Sequence, residues 1–136
     1  MAAALVNDPS RPYAKGARVV AFSRGLYANE GEPISRLAIE ALEAAGVAPA
    51  PQSDYHDHIA RTVTEADVAL CDWLVAVSDA HAMQLLLRFP GAAHKITCLP
   101  EAILDPFGGD AEAYRSCLAA LGRGVDRLLA AMEETK

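Results

Sequence analysis

Apolar and polar positions along the chain alternate between two periods. Arg18 to Phe22, RVVAF, is a short β-branched and aromatic run that Ser23, Arg24 and Gly25 interrupt, and it predicts a strand. Glu30, Gly31, Glu32 and Pro33 then set up a helix start, with Pro33 suited to the first turn. Ile34, Leu37, Ala38, Ala41, Leu42 and Ala45 follow at i, i+3, i+4, i+7, i+8 and i+11, which is one face of a helix. Gly46 stands where a helix ends in the left-handed region. Ala48 to His58 reads as a loop.

Thr64 to Asp67, T-E-A-D, has the pattern of a capping box for a short helix ending near Cys71. Trp73 to Val77, WLVAV, is a continuous apolar run that suits a strand buried on both faces. Ser78 can cap a helix from Asp79 to Phe89, before Pro90-Gly91. Lys95 to Leu99, KITCL, predicts another strand, and Pro100 to Gly109 a loop. Asp110 caps a long last helix whose inward positions are Ala113, Cys117, Leu118, Leu121, Val125, Leu128, Leu129 and Met132. The order β-α-α-β-α-β-loop-α predicts an α/β fold of three layers, a parallel sheet flanked by helices on both faces. Right-handed crossovers place the functional loops at the carboxyl ends of the strands, after Phe22, Val77 and Leu99.

Composition narrows this picture. A length of 136 residues predicts a single domain, residues 1–136, and 52% hydrophobic residues exclude disorder as the main state. A net charge of −6 argues against a nucleic-acid partner. No apolar run reaches the 18 or so residues of a membrane span, and the start lacks the basic region of a signal peptide. Three cysteines, an odd count, form no disulfide framework, so a cytoplasmic location is expected.

The most distinctive string is Asp105-Pro-Phe-Gly-Gly-Asp110. An Asp before Pro has an extended backbone, so its side chain is presented, and Phe107 can form a cleft wall. A plain turn followed by an N-cap is the other reading of the string. DPFGGD followed by A-E-A-Y-R-S-C-L resembles the end of the low-molecular-weight protein tyrosine phosphatases, bacterial members especially. Four further stretches agree in order: SRGLYANEGEP, HIARTVTEAD, WLVAVSDAH and LLRFPGAAHKITCL.

The resemblance implies phosphoryl transfer to a cysteine thiolate held in a C-x5-R-[ST] loop after the first strand. There backbone N–H groups and a helix N-terminus lower the thiol pKa and the Arg clamps phosphate oxygens. It makes Asp105 the catalytic general acid and base and Phe107 a substrate-binding wall. It implies a phosphorylated protein as substrate, phosphotyrosine or phosphoarginine, with no cofactor. The first strand, the nucleophilic Cys and the clamping Arg of that pattern have no counterpart here. The expectation is therefore a domain lacking its N-terminal strand and phosphate loop, and inactive as it stands. Arg24 also departs from the family, which usually has Ala there.

Cys117-LAALG-Arg123 matches C-x5-R literally, but it continues a helical apolar stripe, and Gly124 follows the Arg. Helical N–H groups bond four residues back and cannot cradle a phosphate. Cys71 and Cys98 read as small buried hydrophobes. Asp54, His56, Asp57 and His58 have the spacing of a partial metal cluster but read as a solvated loop, so no metal is expected. His81 reads as a rim or helix-start group. Loss of a central strand at about 1–3 kcal/mol per orphaned backbone group rivals the stability of a whole domain. A segment of a second copy, or a rearranged segment of the chain itself, is therefore expected to fill the gap, giving a homo-oligomer or strand exchange. A non-catalytic binding module of the same fold and an unrelated metabolite-binding α/β domain are the rival classes.

Overall fold

The computed structural model describes residues 1–8, 20–26, 30–50, 54–106 and 108–134. Among the described residues five helices and two strands follow in order: α1 (Ala2–Asn7), α2 (Arg36–Ala44), α3 (Glu65–Leu70), β1 (Leu74–Ala76), α4 (Asp79–Arg88), β2 (Ile96–Cys98) and α5 (Ala111–Glu134). Short 3-10 turns span Tyr55–Asp57 and Pro90–Lys95. The strands pair in parallel, with Leu74 opposite Ile96 and Ala76 opposite Cys98.

Local capping sets most helix ends. The Thr64 hydroxyl accepts the Asp67 N–H and the Asp67 carboxylate accepts the Thr64 N–H, so the capping box at α3 is closed. Ser78 Oγ accepts the His81 N–H at α4, and Asp110 Oδ1 accepts the Ala113 N–H at α5. Gly46 follows α2 at φ +73, the left-handed region the expected stop requires. The start of α2 differs from the expectation. Its cap is Ser35, whose hydroxyl accepts the Ala38 N–H, so the helix begins three residues after Pro33. Pro33 instead lies in an antiparallel bridge with Ile59.

The larger correction concerns Arg18 to Phe22. Arg18 and Val19 lie outside the described residues, and Val20 to Phe22 form no strand. Val20 is 81% exposed. The Asn7 carboxamide does there what a neighbouring strand would do: it accepts the Ala21 N–H at 2.8 Å and donates to the Ala21 carbonyl at 2.7 Å. One side chain can satisfy one residue but cannot propagate a ladder.

Two apolar clusters flank the sheet. One joins Leu5 of α1, Leu42 of α2, Tyr55, Leu99 and the inward stripe of α5, including Leu118, Leu121, Val125 and Leu129. The other joins Val63, Val68 of α3, Ala76 of β1, Leu85 of α4 and Ala92. β1 itself is not buried on both faces as expected: Trp73, Val75 and Val77 are exposed while Ala76 is buried. Cys71 and Cys98 are half-buried rather than buried; Cys117 is buried. No helix among the described residues is long and apolar enough to cross a membrane.

Candidate functional site

Because β1 and β2 are parallel, the segments after Ala76 and Cys98 emerge at the same edge of the sheet. The second leads through Leu99 to the DPFGGD loop. Two glycines shape this loop for different reasons. Gly108 has φ +79, and the turn is closed by the Gly109 N–H donating to the Pro106 carbonyl at 2.8 Å. A Cβ on Gly109 would lie 2.7 Å from the Ala113 Cβ and 2.9 Å from the Pro106 oxygen, so that position has room for glycine only. The turn thus hands the chain directly to the Asp110 cap of α5. Asp105 stands exposed at its start. Phe107 lies outside the described residues.

The loop is anchored from below by α5. Arg127 Nη1 donates to the Pro100 carbonyl at 2.7 Å and to Glu101 at 3.3 Å, and Arg123 Nε reaches the same carboxylate at 3.4 Å. Arg123 is therefore a loop anchor. Cys117, six residues earlier in the same helix, is buried, and burial pushes its thiol up; the Met1 amino group acts against this and the Asp105 charge adds to it. A buried thiol on a continuous helix is neither a thiolate nor surrounded by free N–H groups, so the literal C-x5-R match builds no phosphate cradle.

A groove of about 350 Å³ lies beside α1, lined by Asn7, Phe22, Ser23, Arg24, Tyr55 and His58 among others. Ser23 Oγ and His58 Nε2 are 3.5 Å apart. Burial holds the His58 imidazole below its ordinary pKa, helped by the Met1 amino group, Arg24 and Arg61, so the ring is neutral near pH 7.

The segment carrying His58 is tied from two directions. Ile34 N–H donates to the His58 carbonyl and Ala60 N–H to the Glu32 carbonyl; on the other side Gly25 N–H donates to the Arg61 carbonyl and Val63 N–H to the Gly25 carbonyl. Arg24 belongs to this lattice. Its Nε donates to Asp67 Oδ2 at 3.0 Å, its Nη1 donates to the Ser23 carbonyl, and its guanidinium lies 4.8 Å from the Phe22 ring centre. Neither the Ser23–His58 pair nor the Arg24–Asp67 pair is visible in the sequence, because each spans more than thirty residues.

His56 and His58 do not converge. His56 Nδ1 is 2.6 Å from Asp54 and its Nε2 3.1 Å from Glu43, while His58 faces Ser23. Among the described residues no three His, Cys, Asp or Glu side chains are placed to hold a metal ion. His81 is a helix-start group, its Nδ1 2.6 Å from the Ser78 hydroxyl.

The comparisons with known proteins agree with the motif order. The family model "Low molecular weight phosphotyrosine protein phosphatase" matches residues 1–136. A protein-arginine-phosphatase of Geobacillus stearothermophilus is 31% identical over 140 residues, which cover 94% of this chain and 83% of that protein. The solved YwlE arginine phosphatase from the same organism aligns with a TM-score of 0.81 at 26% identity, covering 98% of this chain and 84% of that one. The low molecular weight protein tyrosine phosphatase from T. tengcongensis aligns with a TM-score of 0.81 at 28% identity, covering 95% and 87%. With the order of elements and the glycine-shaped loop already in place, this chain belongs to the low molecular weight phosphotyrosine protein phosphatase family.

Proposed function

We propose that this chain forms one domain carrying the acid–base side of a phosphatase that acts on phosphorylated protein side chains, arginine phosphate first among them. The observation that carries the reading is Asp105 presented on a turn that admits only glycine at 109, at the carboxyl edge of a parallel sheet. The choice of arginine rests on the relative named as a protein-arginine-phosphatase. In the family's reaction a thiolate sulfur bonds to phosphorus as the bond to the leaving nitrogen or oxygen breaks. Asp105 gives its proton to that leaving atom. Its carboxylate then takes a proton from the water that attacks phosphorus, the P–S bond breaks, and phosphate leaves. The family resemblance alone assigns Phe107 to the leaving group.

Neither Cys71 nor Cys98 begins a C-x5-R sequence and Cys117, which does, is buried in α5, so the 136-residue polypeptide by itself is expected to release no phosphate by this route. Assay of p-nitrophenyl phosphate and an arginine-phosphorylated protein checks this. The expected rate equals the buffer blank. Turnover that disappears in Asp105→Asn or in any single Cys→Ser variant would refute it. Binding of the phosphorylated protein without turnover would favour a non-catalytic module of the same fold.

Among the described residues β1 is paired on one edge, by β2, and this supports a further part of the proposal: a strand from a second copy, or from elsewhere in the chain, pairs with the other edge of β1. Light scattering that finds only monomer removes the second copy. Free cysteines and the absence of a spanning helix among the described residues support a location in the cytoplasm.

A further inference from the structure

A second groove, of about 510 Å³, lies at the opposite edge of the sheet. Lys95 immediately precedes β2, so this groove sits at the amino end of that strand, opposite the end from which the chain leads to the DPFGGD loop. Its size falls within the range of small-molecule sites. Its apolar wall comes from Val68 and Ala69 of α3 with Phe89, Pro90 and Ala92, of which Val68 and Ala92 are buried.

The polar side carries two cations, Arg88 and Lys95, with the His94 ring beside them, against one carboxylate, Glu65, in a chain whose net charge is −6. Lys95 is held in place: its Nζ donates to the Val68 carbonyl at 2.8 Å. An ammonium has three N–H donors, so this contact orients the group and leaves others for a ligand. Arg88 is likewise oriented, with Nη1 donating to the Leu26 carbonyl at 2.6 Å and its guanidinium 5.5 Å from the Phe89 ring centre. Among the described residues no carboxylate pairs with His94 or Lys95.

We propose that this groove binds a small organic acid, a carboxylate or phosphonate on an apolar body, with the acid group at Lys95 and His94 and the body against Phe89, Pro90 and Ala92. A bare inorganic ion would leave the apolar wall exposed, and a neutral apolar molecule would leave the Lys95 ammonium unmatched. The site stands apart from the phosphatase chemistry and does not depend on it.

Amide chemical-shift titration of the full chain with phenylphosphonate and, separately, with phenylacetate tests the proposal. Saturation by either acid is expected, with the largest shifts at Val68, Ala69, Gly91, Ala92 and His94. Lys95→Met is expected to weaken binding about tenfold and Lys95→Arg to preserve it. Glu65→Gln, which leaves the Lys95–Val68 hydrogen bond untouched, should tighten binding several-fold at low salt and lose that advantage at high salt. Should Lys95→Met fail to fold, Glu65→Gln with His94→Gln, which should weaken binding, carries the test. Saturation by neither acid, shifts confined to the Ser23–His58 groove, or indifference to all three positions would overturn the proposal.

Discussion

Arg24 Nε donates to Asp67 Oδ2 at 3.0 Å, across forty-three residues, and thereby joins the segment before α2 to the first turn of α3. Burial alone would raise the Asp67 carboxyl, but hydrogen bonds from the Thr64 N–H and the Arg24 guanidinium outweigh it and hold the group below the usual carboxylate range. A lowered carboxyl contributes stability above about pH 4 that is lost as pH falls through the folded value. Arg24→Gln should therefore lower the melting temperature at pH 7, and its difference from wild type should shrink as pH falls below about 4. Thr64→Ala, which opens the cap, should cost about 1 kcal/mol in urea unfolding.

The two neighbouring histidines should tilt stability in opposite directions. Hydrogen bonding to Asp54, reinforced by Glu43, raises His56, so its contribution is complete below about pH 6.5 and lost as pH rises through the folded value. Burial lowers His58, so its contribution is complete above about pH 6.5 and declines as pH falls. Urea unfolding between pH 5 and 8 should show His56→Gln flattening the alkaline side and His58→Gln the acid side. Equal slopes in both variants would contradict the geometry.

Thiol labelling should rank the cysteines. Cys117 is 7% exposed and its thiol is raised by burial, whereas Cys71 is half-buried near the end of α3. Alkylation with iodoacetamide at pH 7.5, followed by mass spectrometry, should modify Cys71 well before Cys117. Rapid modification of Cys117 in the folded chain would mean that it is a reactive thiolate after all.

Three glycines near α5 should respond differently to alanine. Gly122 has no atom within 4 Å of an added Cβ, so Gly122→Ala should stabilise the helix by about 0.5–1 kcal/mol. At Gly124 the added Cβ would meet the Glu101 Cβ at 3.3 Å, so the same helical gain is offset where α5 touches the loop that leads to Asp105. Gly109→Ala, at 2.7 Å from the Ala113 Cβ, should cost about 1–3 kcal/mol and displace the loop. Urea unfolding of the three variants tests the order.

Core truncation supplies the scale for these numbers. Leu42 of α2 is 0% exposed in the cluster shared with α1 and α5, and Leu42→Ala should cost about 2–5 kcal/mol. Leu87, 74% exposed on α4, should tolerate alanine with a change within about 0.5 kcal/mol.

What could be read in advance was local. The caps at Thr64, Ser78 and Asp110 and the stop at Gly46 each depend on residues within four positions, and all four stand where the pattern puts them. The α5 stripe is legible for the same reason. Val20 to Phe22 failed as a strand because β structure needs partners, and the partner present is a single carboxamide, that of Asn7. The Ser23–His58 pair and the role of Arg24 escaped because a sequence shows residue types, not which distant segments are tied side by side. Gly109 was legible as a turn residue, but the crowding that demands it comes from Ala113, inside the helix that the turn starts.

The two apolar clusters carry one more consequence. One is built on α1, α2, Leu99 and α5, the other on α3, β1, α4 and Ala92, and β2 with its Leu99 extension is the short bridge between them. Backbone amides should therefore exchange with solvent deuterium in two cooperative sets rather than one, each opening with its own free energy. Denaturant added below the global transition should release the α3–α4 set first, since its buried members are fewer and smaller than those gathered around α5.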